Sequence, residues 1–302
     1  MSAQRVIGVD VGGTKILVGV VSRQGRVEAR REHVTPLDSE QELVDGIAGA
    51  VEELAREVSE AAAVGIGIPS PVDQTTGEAL GAVNIPLRDY DLRERLSARL
   101  SLPVGIENDA SAAAFGEWAF GAGRGCDDLV ALTLGTGVGG GLVLAGRPFR
   151  GWAELGHIVI EVDGIPCQGA CTGRGHLEAY CSGRAADVAA RETFGEAADS
   201  HRLVRLAREG EPEAVEVLDG IGRRLGAGIG SLVNVVSPQA VVIGGGFGVA
   251  AFEFLLPGAR EVVAREVLDG AGEHVPIVQA ELGTAAGLVG AALVAFEALD
   301  EG

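Results

Sequence analysis

Positively charged residues are scarce in this sequence of 302 residues. It contains 24 lysines and arginines against 43 aspartates and glutamates, a formal net charge of −19, and its sequence pI is near 4.6. Proteins that bind nucleic acids normally carry a basic stripe, and no segment of this chain has one. The composition therefore argues against a nucleic-acid partner. An anionic substrate would have to be held by a few local cations and backbone N–H groups.

Long apolar runs and cysteines are also few. No uninterrupted apolar stretch reaches the roughly 18 residues that a membrane span needs, and the first residues lead into a short strand-like run without a signal peptide. We therefore expect a cytoplasmic protein with no membrane partner. Three of the four cysteines lie within 15 residues, at 167, 171 and 181. In a cytosolic chain this clustering favours metal binding over disulfide formation.

Apolar residues and glycine, by contrast, are abundant. Hydrophobic residues make up 47% of the chain and charged residues 22%, which is typical of a globular protein, and the length suffices for two ordinary domains. The 47 glycines follow no fixed period. They cluster after hydrophobic runs, where tight turns and phosphate-binding loops occur.

Hydrophobic periodicity predicts strands alternating with helices. In the first part we expect strands at 5–9, 16–21, 26–33, 63–68 and 103–107, and helices at 39–60 (capped by Ser39, with an apolar stripe reaching Val58), 91–100 and 109–120. In the second part we expect strands at 128–134, 142–145, 240–243 and 276–279, and helices at 183–193, 200–209, 213–235, 249–268 and from 284. Each part opens with a strand, a glycine turn and a strand, which indicates an internal duplication.

The first glycine turn, residues 10–15 (Asp-Val-Gly-Gly-Thr-Lys), is a candidate phosphate-binding segment. Two glycines between strands let several backbone N–H groups approach a phosphate. Asp10, at the end of the strand, is placed to hold Mg²⁺ directly or through water. The residues that would act on the nucleotide are Asp10, Gly12, Gly13, Thr14 and Lys15. The spacing is not that of a Walker loop, and an exposed hairpin turn is an equally good explanation of this segment alone.

Two further glycine segments follow hydrophobic runs. The turn at 135–141 (Gly-Thr-Gly-Val-Gly-Gly-Gly) repeats the first and would hold the nucleotide from the other side through Thr136 and Gly137. Its alternative is again a flexible hairpin. Gly244 and Gly245 lie between a strand and a helix, a junction that admits the close approach of a base or ribose.

Six segments together resemble one family. They are residues 10–15, 65–73 (Gly-Ile-Gly-Ile-Pro-Ser-Pro-Val-Asp), 107–110 (Glu-Asn-Asp-Ala), 134–139 (Leu-Gly-Thr-Gly-Val-Gly), 154–157 (Glu-Leu-Gly-His) and the cysteine loop through Glu178. In this order they resemble the ROK sugar kinases of the actin-like, ribonuclease-H-fold ATPase superfamily. The resemblance implies an α/β fold of two actin-like domains, each a mixed sheet flanked by helices, with an interdomain cleft. The smaller domain would comprise residues 1–118 with a closing helix at 287–302, and the larger domain 119–286.

The resemblance also assigns roles to individual residues. Asp109 would be the catalytic base, which accepts the hydroxyl proton as the sugar attacks the γ-phosphorus of ATP. The sugar ligands would be Asn84, Asn108, Asp109, Glu154, His157 and Glu178. From the local sequence alone, Asp109 could instead cap the helix that begins there, and Asn84 could stabilise its own turn. Taken singly, Glu154 or His157 would more often be a surface residue, or a core residue whose hydrogen bonds are satisfied within the protein.

The cysteine loop departs from the family pattern. Members usually place one histidine with Cys-x-Cys-x4-Cys around a structural Zn²⁺, whereas this chain reads Cys-x3-Cys-x4-His. We expect a tetrahedral His₂Cys₂ zinc site formed by His157, Cys167, Cys171 and His176, with a metal-free loop as the alternative. Such a site would hold the loop so that His157 and Glu178 face the sugar. Cys181 is expected in the core.

The resemblance therefore predicts an ATP- and Mg²⁺-dependent hexokinase, with glucose as the leading substrate. Kinases of fructose, N-acetylmannosamine, N-acetylglucosamine and allose share much of this residue set. A non-catalytic sugar-binding protein or repressor has the same fold, but repressors carry a DNA-binding domain of roughly 70 residues ahead of the first glycine turn, which here begins at Asp10. Relatives suggest a homodimer or homotetramer.

Overall fold

The chain forms two compact units in the computed structural model, which describes residues 4–57, 61–82, 84–268 and 275–301. Unit 1 comprises Met1–Arg124, Arg150–Trp152 and Thr284–Gly302, and unit 2 comprises Gly125–Phe149 and Ala153–Gly283. Each contains a mixed five-stranded β-sheet flanked by helices. A boundary after residue 118 would fall inside a helix that continues to Phe120.

Unit 1 is built on a sheet with the strand order β3-β2-β1-β4-β7. Its strands are β1 (Arg5–Val11), β2 (Lys15–Ser22), β3 (Val27–Val34), β4 (Ala61–Ile68), β5 (Val72–Asp73), β6 (Glu78–Ala79) and β7 (Val104–Asn108). Its helices are α1 (Glu40–Glu57), α2 (Leu92–Leu100), α3 (Asp109–Phe120) and the last helix of the chain, α9 (Ala286–Glu301). Strands β1, β2 and β3 pair antiparallel, and β4 and β7 continue the sheet parallel to β1.

The first helix begins where the sequence predicted. Ser39 precedes α1, and its Oγ accepts a hydrogen bond of 3.2 Å from the N–H of Glu42, as expected of an N-cap. The apolar stripe of α1 is buried, and Leu43, Ile47 and Leu54 are fully inaccessible. Val58, the last residue of the predicted stripe, lies outside the described residues.

Unit 2 repeats the topology of unit 1, with the order β10-β9-β8-β11-β12. Its strands are β8 (Leu129–Leu134), β9 (Val138–Leu144), β10 (Arg147–Pro148), β11 (Ala240–Gly244) and β12 (Ile277–Gln279). Its helices are α4 (Leu177–Cys181), α5 (Gly183–Phe194), α6 (Ser200–Arg208), α7 (Pro212–Val236) and α8 (Gly246–Glu266). In both sheets three antiparallel strands are followed by two parallel ones, as an internal duplication predicts.

A row of four glycines crosses the sheet of unit 1. Gly8 pairs with Gly19 on one side and with Gly65 on the other, and Gly65 pairs with Gly105. Helix α9 lies directly on this row. A Cβ added at Gly65 would lie well under 3.0 Å from the carbonyl oxygen of a residue in α9, and the same holds at Gly8 and Gly105. Only glycine permits the helix backbone to approach the sheet this closely.

Helix α9 also packs closely against α3. A Cβ added at Gly116 of α3 would lie 2.5 Å from the carbonyl oxygen of Ala286, and one at Gly290 would overlap the carbonyl oxygen of Ala112. The segment Gly283–Asp300 is long and apolar enough to cross a membrane by length and composition, with a mean hydropathy of 1.4, but 56% of it is buried inside the protein. Its contacts with the sheet and α3 explain its apolar composition.

We predict that Gly65→Ala destabilises the protein by roughly 3 kcal/mol or more, because the added methyl group forces α9 away from the sheet. The urea midpoint of unfolding measures the effect. Gly49→Ala on α1 is the matched control, since no described atom beyond the local helix backbone and the neighbouring residues lies within 4 Å of a Cβ added there. It should leave stability unchanged or raise it by up to about 1 kcal/mol. Equal midpoints for the two variants would contradict the packing of α9 on the glycine row.

Candidate active site

The first glycine turn joins β1 to β2 as a tight hairpin. The N–H of Gly12 donates to the carbonyl oxygen of Lys15 at 2.8 Å, and Thr14 and Lys15 are exposed. Asn84 lies over the turn: a Cβ added at Gly13 would be 3.2 Å from the Cβ of Asn84. The structure thus brings one predicted sugar ligand against the predicted phosphate turn.

Asp10 is the last residue but one of β1, beside this turn. Burial, together with the nearby carboxylate of Asp109, raises the pKa of its carboxyl to about 7, although Lys15 opposes the shift. The carboxyl group also lies against the first turn of α9, where a Cβ added at Gly287 would be 2.5 Å from Oδ2 of Asp10. A carboxylate this poorly solvated is a strong ligand for a cation, which would displace the proton and restore the charge balance.

Asp109 is the first residue of α3. The N-cap is Asn108, whose Oδ1 accepts hydrogen bonds of 3.0 Å from the N–H groups of Ala110 and Ser111. The structure therefore places Asn108 at the N-cap position and Asp109 in the first turn of the helix. The carboxylate of Asp109 accepts a hydrogen bond of 2.8 Å from the N–H of Ala110 and interacts electrostatically with Asp10.

Lys15 pairs with Glu32 on the neighbouring strand at 2.9 Å. Both side chains are more than half exposed, at 56% and 57%. Ion pairs of this kind contribute little to stability because water and salt screen them. The ammonium group can therefore leave Glu32 for a phosphate at small cost.

Glu107, which is buried, forms an ion pair with the more exposed Arg150 that the sequence did not predict. Glu107 is 4% exposed, and its carboxylate accepts hydrogen bonds from Arg150, from Nε2 of Gln74 (3.0 Å) and from the N–H of Asn108 (2.9 Å). Burial raises the pKa of Glu107, and Arg150 opposes the shift. Arg150 also pairs with Glu297 of α9. A charged residue within a buried strand was the available signal for Glu107, whereas nothing local marks Arg150.

The second glycine turn is shorter than the sequence suggested. Strand β9 begins at Val138, so Gly139–Gly141 belong to the strand and not to the turn. Gly140 is required there because an added Cβ would lie 2.7 Å from the side chain of Leu155. The turn itself is closed by a hydrogen bond of 2.9 Å from the N–H of Gly135 to the carbonyl oxygen of Gly137, with Thr136 exposed at its tip.

Glu178, in the first turn of α4, supports the second glycine turn. Its Oε2 accepts a hydrogen bond of 2.9 Å from the N–H of Val138, and a Cβ at Gly137 would collide with the same carboxylate. Gly137 is therefore needed to accommodate Glu178, whatever else binds there. The predicted sugar ligand and the predicted nucleotide turn are neighbours within unit 2.

The third glycine segment forms the start of α8. Gly245 is the N-cap residue, with φ of +79°, and an added Cβ would overlap the carbonyl group of Leu134. Among the described residues, no side chain caps the 21-residue helix at this end. The first N–H groups of α8 are thus available to an electronegative ligand, such as a nucleotide's ribose or phosphate.

Glu154 precedes a 3₁₀ turn, Leu155–His157, that packs on β9. Partial burial raises the pKa of the Glu154 carboxyl, His157 lowers it, and the carboxylate of Glu178 raises it. The turn approaches β9 closely, since a Cβ at Gly156 would overlap the carbonyl oxygen of Val138. Glu154 therefore lies close enough to His157 and Glu178 to interact with both electrostatically.

The four residues proposed as metal ligands form one cluster. The ligand atoms of His157, Cys167, Cys171 and His176 all lie within 4.8 Å of one another. The two Nδ1 atoms are 3.2 Å apart, Sγ of Cys167 is 3.8 Å from Nδ1 of His157, and Sγ of Cys171 is 3.5 Å from Nδ1 of His176.

These separations fit a tetrahedral zinc ion. Usual zinc–ligand distances place two nitrogens about 3.3 Å apart and a nitrogen and a sulfur about 3.6 Å apart. Burial raises the pKa of the Cys167 thiol to about 11, and a divalent cation is what would stabilise the thiolate in this place. Cys181 is fully buried in the core of unit 2, as expected.

Each unit thus assembles its own set of predicted residues. In unit 1 the neighbours are Asp10, Gly12, Gly13, Thr14, Lys15, Asn84, Asn108 and Asp109. In unit 2 one group comprises Thr136, Gly137, Glu154, His157, Cys167, Cys171, His176 and Glu178. Gly244 and Gly245 lie at the start of α8, where Gly245 contacts the end of β8.

Comparison with known proteins places this arrangement in a family. The glucokinase of Streptomyces coelicolor is 37% identical, over 96% of this chain and 97% of its own length. A ROK family glucokinase from Streptomyces griseus, solved in complex with glucose and AMPPNP, is 35% identical with a TM-score of 0.84, over 97% of this chain and 99% of that one.

The same fold occurs in a ROK family transcriptional regulator, a homologue of the E. coli MLC protein. It is 25% identical with a TM-score of 0.89, and the match covers 99% of this chain and 79% of the regulator. The model of the ROK family matches residues 6–298. The chain described here therefore belongs to the ROK family.

Proposed function

We propose that the protein transfers the γ-phosphoryl group of ATP to a hexose hydroxyl, with glucose as the leading substrate. The observation that carries this proposal is the position of Asp109, which begins α3 beside Asp10 and the first glycine turn while Asn108 caps the helix. A ROK glucokinase 35% identical to this chain binds glucose and an ATP analogue, which supports the same assignment.

Asp109 is the proposed catalytic base. A sugar hydroxyl is a weak nucleophile, and a carboxylate that accepts its proton during attack on phosphorus contributes typically 10²–10⁴-fold to the rate. Asn108 supplies the N-cap of α3, while Oδ1 of Asp109 accepts a hydrogen bond from the N–H of Ala110 and its Oδ2 is the atom proposed to accept the hydroxyl proton. The bond from the hydroxyl oxygen to phosphorus forms as the bond to the leaving oxygen of ADP breaks.

The nucleotide is proposed to lie against the three glycine segments. Asp10 would hold Mg²⁺ directly or through water, and the bound ion would neutralise charge on the phosphates. Lys15 would exchange Glu32 for a phosphate oxygen, and the open N-terminus of α8 would receive another part of the nucleotide. Gly12, Gly13, Thr14, Thr136, Gly137, Gly244 and Gly245 complete the proposed nucleotide set.

The sugar is proposed to be bound by polar side chains that accept hydrogen bonds from its hydroxyl groups or donate hydrogen bonds to them. Carboxylates and imidazole bind vicinal hydroxyls at two points, which gives selectivity among sugars. Besides Asp109, the proposed ligands are Asn84, Asn108, Glu154, His157 and Glu178. This set of side chains is compatible with fructose and N-acetylhexosamines as well. The choice of glucose as the leading substrate is therefore supported by the similarity to glucokinases.

Zn²⁺ is the proposed occupant of the four-ligand cluster. Four protein ligands leave no open position, so the metal would be structural and would fix the loop that leads to Glu178. His157 binds through Nδ1 in this arrangement, which leaves its Nε2 for a sugar hydroxyl.

A sugar-binding protein without catalysis is the second candidate. The likeness to a transcriptional regulator favours it, whereas the presence of Asp10, Lys15 and Asp109 together favours the kinase. We further propose that the protein acts in the cytoplasm as a homodimer or homotetramer, with ATP and a sugar as its partners and with neither nucleic acid nor membrane involved.

We predict that Asp109→Asn lowers kcat by roughly 10²-fold or more, while the affinity for the sugar changes little. Steady-state kinetics give kcat, and calorimetry gives the sugar Kd. Asp45→Asn, an exposed position on α1, is the control and should retain full activity. An unchanged kcat in Asp109→Asn would remove Asp109 from the role of base.

We predict one zinc ion per chain in the purified protein, measured by plasma mass spectrometry. Cys171→Ser should lose the metal and lower the melting temperature, because a structural metal contributes its binding energy to folding. Cys126→Ser, outside the cluster, should keep the metal. A wild-type protein that contains no zinc after purification without chelators would contradict the proposal.

A further inference from the structure

Thr35 forms hydrogen bonds with the backbone of the first glycine turn. It follows the last residue of β3 and is 4% exposed. Its hydroxyl donates a hydrogen bond of 2.7 Å to the carbonyl oxygen of Gly12, and its N–H donates one of 3.2 Å to the carbonyl oxygen of Thr14. One buried residue thus holds two carbonyl groups of a four-residue turn.

These hydrogen bonds determine which backbone groups the turn can present. The carbonyl group of Lys15 is also engaged, by the N–H of Gly12. Three of the four carbonyl oxygens in residues 12–15 therefore already accept hydrogen bonds from the protein. The N–H groups of Gly13 and Thr14 make no hydrogen bond to another described residue. A turn of this kind offers donors to an anion and withholds acceptors.

The glycines make such a restraint necessary. Glycine adopts many backbone conformations at little cost, so the peptide group between Gly12 and Gly13 can rotate unless something holds it. A rotated peptide would point a carbonyl oxygen at the phosphates and repel them. The hydroxyl of Thr35 opposes this rotation, because a rotated peptide would break the hydrogen bond between that hydroxyl and the carbonyl oxygen of Gly12.

We propose that Thr35 is a positioning residue of the nucleotide site, which keeps the N–H groups of the first glycine turn directed at the phosphates. The inference rests on the proposed function, since it takes this turn to bind ATP. Thr35 touches no substrate in this account and acts through the turn alone.

Two substitutions at this position test the proposal. Thr35→Val has the same shape but no hydroxyl, and we expect it to raise the KM for Mg-ATP and the Kd of Mg-AMPPNP about tenfold, equivalent to about 1.4 kcal/mol. Thr35→Ser keeps the hydroxyl and should remain within about threefold of wild type, since both residues supply one O–H donor. The KM for the sugar should stay unchanged in both variants.

Ser22→Ala is the matched control. Ser22 is fully buried on β2 in the same sheet, and its hydroxyl has no hydrogen-bond partner among the described residues. Removing it deletes a buried hydroxyl without touching the turn, so nucleotide affinity should not change. A purely structural role for Thr35 would lower the melting temperature and leave the Kd of Mg-AMPPNP unaltered in the folded fraction.

The results of these measurements distinguish a failure of this inference from a failure of the proposed function. If the wild type binds Mg-AMPPNP and Thr35→Val binds it equally well, the inference is wrong and the kinase assignment stands. If the wild type binds the nucleotide but phosphorylates no sugar, the kinase assignment fails while the calorimetry still tests Thr35. A wild type that does not bind Mg-AMPPNP would overturn both.

Discussion

The direct contact between α9 and the glycine row of unit 1 is the constraint from which the geometry around Asp10 follows. Because four paired glycines lack side chains, the helix backbone rests on the sheet. This places the first turn of α9 against the carboxyl group of Asp10 and packs α9 closely against α3. Asp10, the proposed Mg²⁺ ligand near the end of β1, and Asp109, the proposed base at the start of α3, therefore occupy fixed positions.

The two glycine turns share a second feature beyond their sequence. Each is held by a side chain from outside the turn: the hydroxyl of Thr35 donates to the carbonyl oxygen of Gly12, and the carboxylate of Glu178 accepts from the N–H of Val138, which follows the second turn. A flexible segment gains a defined shape from such a partner. The exposed residues of both turns, Thr14 and Thr136, are then presented by a restrained backbone.

Local patterns in the sequence were sufficient to predict most helices and strands. Apolar periodicity located α1, α3 and α7, and Ser39 marked the start of α1 because capping depends on residues three apart. Patterns of this kind could not locate β5 and β6, whose two residues each carry no periodicity. The glycine run at 135–141 suggested a long turn, but tertiary pairing with β8 draws its second half into β9.

Contacts between segments that are far apart in the sequence limit how much of the site can be predicted. The metal cluster was predicted because four potential ligands, two histidines and two cysteines, occur within 20 residues, and the structure brings their ligand atoms together. Arg150, which joins Glu107 to Glu297, could not be found, since both partners are remote in sequence. The capping role of Asn108 was equally hidden, because Asn and Asp in adjacent positions compete for it and only the backbone geometry decides.

A coupled assay of ADP release tests the central claim most directly. The purified protein is given Mg-ATP and, in separate reactions, glucose, fructose, mannose, N-acetylglucosamine and N-acetylmannosamine. We predict turnover with at least one sugar, and a kcat/KM for glucose well above those for the others. No ADP release with any sugar, in a protein that calorimetry shows to bind both Mg-AMPPNP and glucose, would contradict the assignment as a kinase.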